Sequence, residues 1–270
     1  MKHIQRKAFS LMTLCASFLF LVPLYMVLIN SLKPRREAAL FSIKLPTQWQ
    51  WDNYRQVLES AHILQAFVNG LIISIGSGIL IVVVSSLCAY VIARSRQKWA
   101  QTQYYLFLSG LVIPVAFIPT YLVLNALNLL NTYAGLILVA ATYGLPMSIF
   151  LYAGFVKTIP RELDEAAVIE GCPPLQFFFQ IVFPLIKPVT MTLIIFNFVG
   201  SWNDIQIPLY FSSSDKWALP LTVYNFYGAH SSAWNLIFAD IIITIFPLLI
   251  LYVFAQKYIT EGMTAGAVKG

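Results

Sequence analysis

The sequence predicts an all-α protein that crosses a lipid bilayer six times. Three observations lead there. Apolar residues fill 59% of the 270 positions and charged residues only 10%, against roughly 45–50% apolar usage in a soluble domain. Six almost uncharged runs each approach or exceed the roughly 20 residues that a helix needs to cross about 30 Å of hydrocarbon. Inside lipid every backbone N–H and C=O must be paired, and runs of this length achieve that as helices, since barrel strands would be shorter and would alternate polar with apolar.

The first run, residues 9–29, follows Lys2, Arg6 and Lys7. Its length and the lack of a small-residue cleavage pattern after Ile29 favour a retained anchor over a cleaved leader. The second, 67–93, places Ser74 with Gly78 and Ala89 with Ala93 four residues apart, the pattern of a close helix-packing face. The third and fourth are 104–127 and 133–155, and the fifth and sixth 189–207 and 234–254. Pro114, Pro119, Pro184, Pro188 and Pro247 lie in or beside these runs, where they can kink a helix.

The connector 156–187 has a helical pattern of its own. Thr158 is an N-cap candidate with Pro160 in the first turn, the acids Glu162, Asp164 and Glu165 suit the positive end of a helix dipole, and Gly171 supplies a stop. That predicts a helix over about 159–170, with Leu163, Ala166, Ala167 and Glu170 on one face. Pro173 and Pro174 open a second helix running through Phe177 and Ile181 toward Pro184.

Placing the N-terminus inside leaves 11 of the 17 Lys and Arg on cytoplasmic segments, so the sequence predicts both termini inside and a cytoplasmic tail at 257–270. Five of the other basic residues crowd into the loop after the first run, which weakens the asymmetry. The net charge of +6 then reads as a topology signal rather than a nucleic-acid footprint.

Enzymatic chemistry is not visible. His3, His62 and His230 fall outside the runs, no His or Cys pair has metal-ligand spacing, and Cys15, Cys88 and Cys172 read as buried small residues rather than a disulfide framework. No GxxxxGK[ST] occurs to cradle ATP. Mid-membrane acids of an ion-driven carrier are also missing, the nearest being Asp204 and Asp240 close to the outer ends of their runs.

Glu165-Ala166-Ala167, then Gly171, Ile181 and Phe183-Pro184, resembles the EAA signature of bacterial ABC importer permeases, in the connector before the penultimate span. It departs from that signature at Phe183, where Leu is usual, and at Glu170, where the sugar permeases usually have Asp. "SLKP" at 31–34, "DNYRQVL" at 52–58, "SWND" at 201–204, "IPLY" at 207–210 and "QKYITEGMTAGAVKG" at 256–270 extend the resemblance over nearly the whole chain, toward the six-span second permease of the sugar-importing branch.

The resemblance implies a permease subunit of the bacterial cytoplasmic membrane, without catalysis of its own, that imports a sugar or oligosaccharide. It implies a second permease as heterodimer partner, an extracytoplasmic solute-binding protein and a cytoplasmic ATPase dimer that holds the ATP and Mg. Glu165, Ala166, Ala167, Gly171, Ile181 and Pro184 would form the coupling helix docked on that ATPase, and Thr264, Ala265 and Gly266 a tail reaching it. Asn197, Trp202, Asn203, Asp204 and Asp240 are the candidates for the translocation path, since sugar recognition uses aromatic faces with amides and carboxylates. For these the competing reading is structural: Trp202 in an interfacial aromatic belt and Asp204 capping a helix end. Import of a non-sugar solute and an ion-coupled carrier are the rival functions.

Overall fold

The computed structural model describes residues 2–60, 62–228 and 232–267, without the side chains of residues 2–8, 11, 15, 16, 255 and 257–267. His230 and residues 268–270 of the tail therefore lie outside the described residues, as do the side chains of Cys15, Thr264, Ala265 and Gly266. Among the described residues there is no strand, and the all-α expectation holds.

The principal helices are α1 (Lys2–Ser31), α2 (Asp52–Ser60), α3 (Ile63–Arg94), α4 (Lys98–Ser109), α5 (Phe117–Ala126), α6 (Tyr133–Val156), α7 (Glu162–Ile169), α8 (Pro174–Leu185), α9 (Lys187–Asn203), α10 (Gln206–Phe211) and α11 (Trp234–Ala267). Four of these, α1, α3, α6 and α11, are long and apolar enough to cross a membrane.

Two expected spans are interrupted. The run 104–127 divides into α4 and α5, because the chain leaves the helix at Gly110 and Pro114 keeps residue 113 from re-entering it. The run 189–207 is interrupted at Asp204, where α9 ends before α10, and α9 also meets α8 at a bend of 79°; counting that bent pair as one span raises the total to five. Proline is tolerated inside the long helices at Pro23, Pro146 and Pro247.

The chain forms two compact units. One joins the segment up to Ala66 with Leu219–Leu249. Its interior is a polar network around two of the motifs noted in the sequence. Lys33 of "SLKP" is buried and donates from Nζ to Asn30 Oδ1 at 3.0 Å and to the Ser42 carbonyl at 2.6 Å. Asn53 of "DNYRQVL" donates to the carbonyls of Ser31 and Lys33 at 2.8 and 3.0 Å and accepts from Asn235 Nδ2 at 2.7 Å. Burial lowers the Lys33 pKa from the usual lysine value, and nearby Glu37 partly opposes that. Asp240 on α11 is buried in this unit too, against the hydroxyl of Thr222.

The other unit comprises Phe67–Ala218 and the chain from Ile250 onward. Its core has two centres. Ala89, Ala93, Ile149, Tyr152, Val156, Ala167, Phe177, Phe178 and Val189 pack around the Arg94 end of α3. Ile73, Leu124, Leu136, Val139, Ile207 and Phe211 form a second cluster from α3, α5, α6 and α10. Tyr152 ties α6 to α9 through a 3.0 Å hydrogen bond with Thr190.

Ser74, Ala89 and Ala93 are buried, as a packing face requires, but Gly78 is not a point of close approach: a Cβ there would meet nothing within 4 Å. Gly76 is the tight position, where a Cβ would lie 2.6 Å from Ile137 Cδ1.

Candidate functional site

The connector 156–187 folds as the two-helix unit that its acids, glycine and prolines suggest, with shifted edges. Helix α7 starts at Glu162 with Glu162, Asp164 and Glu165 in its first turn, where the dipole favours them. Thr158 does not cap it. Its hydroxyl instead donates to the Phe155 carbonyl at 2.8 Å, finishing α6, and no side chain caps α7.

Gly171 closes the helix with φ +69°. Its N–H donates to the Val168 carbonyl at 3.1 Å, and the Cys172 N–H to the Ala167 carbonyl at 2.9 Å. This is a Schellman close, and only glycine adopts its left-handed residue without strain. Pro174 then opens α8, which passes through a π-helical turn at Phe178–Val182.

The two alanines of the signature differ in burial. Ala167 is buried among Phe177, Val182 and the α3 alanines, whereas Ala166 is exposed. The anticipated single face of Leu163, Ala166, Ala167 and Glu170 is therefore split, because Ala167 is small enough to let α7 settle onto the core. On the outside, Glu165 and Ala166 adjoin Val168 and Ile169, which are 78% and 86% exposed. Ile181, in the π-turn, and Pro184 are also exposed.

Asp164 turns inward. Its Oδ2 faces Arg94 Nη2 at 2.9 Å, a contact of charges rather than an aligned hydrogen bond, and its Oδ1 accepts from Tyr90 Oη at 3.1 Å.

The candidate path residues separate. Asn197 and Asp204 come together in a groove of about 250 Å³ between α3, α6 and α9, with Ser77, Tyr143 and Ser201 completing its polar lining. Asn197 donates from Nδ2 to Ser148 Oγ and the Leu193 carbonyl at 3.2 and 2.8 Å, and its Oδ1 lies so near Gly144 that a Cβ there would be 2.5 Å away. The Tyr143 hydroxyl is buried without a hydrogen-bond partner. Asp204 caps α10, its Oδ1 accepting from the Ile207 N–H at 2.9 Å.

Trp202 is not in the groove. It is 1% exposed, stacked on Phe198 and edge-on to Phe67, with Gly70 leaving room for its ring. That burial removes it from both a solute-facing position and an interfacial belt. Asn203 points outward and donates back to the Val199 carbonyl at 2.9 Å. Asp240 belongs to the other unit. Tyr143 had no distinguishing sequence signal, since a lone tyrosine in an apolar run reads as packing, whereas Ser201 lies in the "SWND" motif and Ser77 among the small residues read as a packing face.

The family model for binding-protein-dependent transport system inner membrane components matches residues 81–265, which include α6–α10 and the whole connector 156–187. The chain belongs to this family. It is accordingly the permease type of subunit in an ABC importer. It is 33% identical, over 99% of its length and 98% of the relative's, to a probable starch degradation products transport system permease protein, AmyC, of Thermoanaerobacterium thermosulfurigenes. It is 34% identical to the melibiose/raffinose/stachyose import permease protein MelC of Bacillus subtilis, over 95% of this chain and 93% of that one. With the diacetylchitobiose uptake system permease protein NgcG of Streptomyces coelicolor the identity is 32%, over 94% and 85%. Among solved structures, the fold matches a bacterial ABC transporter involved in import of the acidic polysaccharide alginate, with TM-score 0.77, 19% identity, and coverage of 94% of this chain and 95% of that chain.

Proposed function

We propose that this permease imports a sugar or oligosaccharide as one of two non-identical permeases in the bacterial cytoplasmic membrane. It works with an extracytoplasmic solute-binding protein and a cytoplasmic ATPase dimer that binds ATP and Mg. Three relatives whose names concern starch products, raffinose-type sugars and diacetylchitobiose support the substrate class. The chain itself catalyses nothing; it alternates between inward- and outward-open states as the ATPase closes.

The observation that carries the reading is the outer surface of α7. Exposed apolar residues beside acids, on a short helix whose inner face is already packed, want a protein partner rather than water. Glu165, Ala166, Val168 and Ile169 dock in the ATPase, Ala167 and Gly171 set the shape and close of the docking helix, and Ile181 and Pro184 extend the contact. The segment around Thr264, Ala265 and Gly266 reaches the same ATPase. Both termini are then cytoplasmic, and α4 with α5 and α9 by itself complete six crossings, α8 staying on the cytoplasmic side with α7. The groove with Asn197 and Asp204 is this chain's share of the solute path.

Glu165→Ala and Gly171→Asp should abolish uptake in membranes that still contain the permease at normal level. Full uptake by both variants would sink the docking assignment.

A further inference from the structure

The EAA connector is gripped by one end of one helix. Tyr90 and Arg94, one turn apart at the end of α3, reach every part of it. Arg94 Nη1 donates to the Ile159 carbonyl at 3.1 Å, holding the strand of chain that leaves α6. Arg94 and Tyr90 together hold Asp164 of α7, at 2.9 and 3.1 Å. The Tyr90 ring packs on Phe177 and Phe178 of α8, centroids 6.4 and 5.4 Å away. The Arg94 and Asp164 side chains are 13% and 24% exposed, so water weakens their attraction far less than on an open surface. Below them, Ala89 and Ala93 of α3 meet Ala167, Phe177 and Phe178 in one buried cluster.

We propose that Tyr90, Arg94 and Asp164 form a rigid joint that makes α3 and the EAA connector move as one body, so that displacement of α7 is delivered to the membrane helices through α3. The joint rests on the reading that α7 docks on an ATPase. It assigns the acids of the connector two separate tasks: Glu165 faces out to the motor, and Asp164 faces in to the transmission. Rigidity comes from the number of restraints. A connector held only at its ends could swivel under load, whereas one held at its entry, its first helix and its second helix by neighbouring residues of a single helix cannot rotate without breaking all three. These are positioning residues, and none needs to touch solute or nucleotide.

The test uses the complete importer, with its permeases, ATPase and solute-binding protein, in proteoliposomes. Asp164→Asn, which keeps the shape and loses the charge, is expected to assemble and hydrolyse ATP while solute moved per ATP falls roughly tenfold, the scale of one coupling between contacting groups. Unchanged solute per ATP overturns the joint. As a second measurement, Arg94→Cys with Asp164→Cys in a cysteine-free background is bridged by a short bifunctional thiosulfonate. The unbridged double variant should share the low solute per ATP of Asp164→Asn, and the bridge should raise it, because it restores a joint that does not open during the cycle. Transport blocked by the bridge and restored on reduction refutes it, even if Asp164→Asn fails to assemble. Glu165→Ala separates the two readings. If it leaves coupling intact, docking by α7 is wrong; if it uncouples and Asp164→Asn does not, only the joint is wrong.

Discussion

Asn53 and Asn235 are separated by 182 positions in the chain, yet their side chains share a 2.7 Å hydrogen bond in a buried site. Asn53 also carries the carbonyls of Ser31 and Lys33, so one amide joins the end of α1, the start of α2 and the start of α11. Asn53→Ala would leave two buried carbonyls without donors. We expect a loss of about 2–3 kcal/mol of stability, read as a lower melting temperature in detergent, and a coupling of about 1 kcal/mol in a cycle with Asn235→Ala. Additive effects would show that the two side chains act independently.

Lys33 brings a charge into that same site. Lys33→Met should destabilise by about 1–3 kcal/mol, because Asn30 Oδ1 and the Ser42 carbonyl lose their donor. Burial lowers the Lys33 pKa in the folded protein. Between that lowered value and the ordinary lysine value of 10.5 the unfolded chain binds more protons than the folded one, so stability rises with pH across the window. The stability of the parent relative to Lys33→Met should therefore grow on alkaline titration; a gap that shrinks would contradict the assignment.

Asp240 tests hydrogen-bond economy. The Thr222 hydroxyl lies 2.6 Å from the Leu219 carbonyl and 2.8 and 3.0 Å from the Asp240 oxygens, and its single hydrogen cannot serve all three. An amide at 240 would donate to Thr222 and release that hydrogen to Leu219. Asp240→Asn should match or exceed parent stability, while Asp240→Ala loses about 2 kcal/mol through the cavity it leaves. The reverse order would rule this out.

Two glycines on neighbouring helices should respond oppositely. Gly78→Ala meets open space inside α3 and should gain up to about 1 kcal/mol from helix propensity. Gly144→Ala would place its Cβ 2.5 Å from both Asn197 Oδ1 and Ile81 Cδ1, so both side chains must move and Asn197 must give up its present hydrogen bonds. A loss of about 1–3 kcal/mol is expected. Equal thermal shifts for the two variants would mean that the helices are not packed this closely.

If the groove meets solute hydroxyls, the Tyr143 hydroxyl is the group waiting for one. Tyr143→Phe removes a single donor and should weaken apparent solute affinity by about fivefold, the value of one hydrogen bond near 1 kcal/mol, with normal ATPase stimulation. Uptake kinetics identical to the parent would take Tyr143 out of the path.

The sequence by itself determined the class and the helical connector. Hydrophobic length is a local property, so the apolar runs were legible, and α7 was legible because acids, glycine and a Pro-Pro pair each act within a turn or two of their own position. It misled where local rules compete: the run 104–127 has the composition of a span, but Gly110 and Pro114 break it, and Thr158 was free to finish α6 instead of starting α7. Tertiary structure alone decided which side each residue faces. Composition gave Trp202 and Asn197 equal standing as path residues, yet one is sealed behind Phe67 and Phe198 and the other opens on the groove. Nothing local distinguishes Asp164 from Glu165 either. Their surroundings diverge because adjacent residues on a helix point about 100° apart, and the partner that fixes Asp164, Arg94, arrives from a helix 70 residues earlier in the chain.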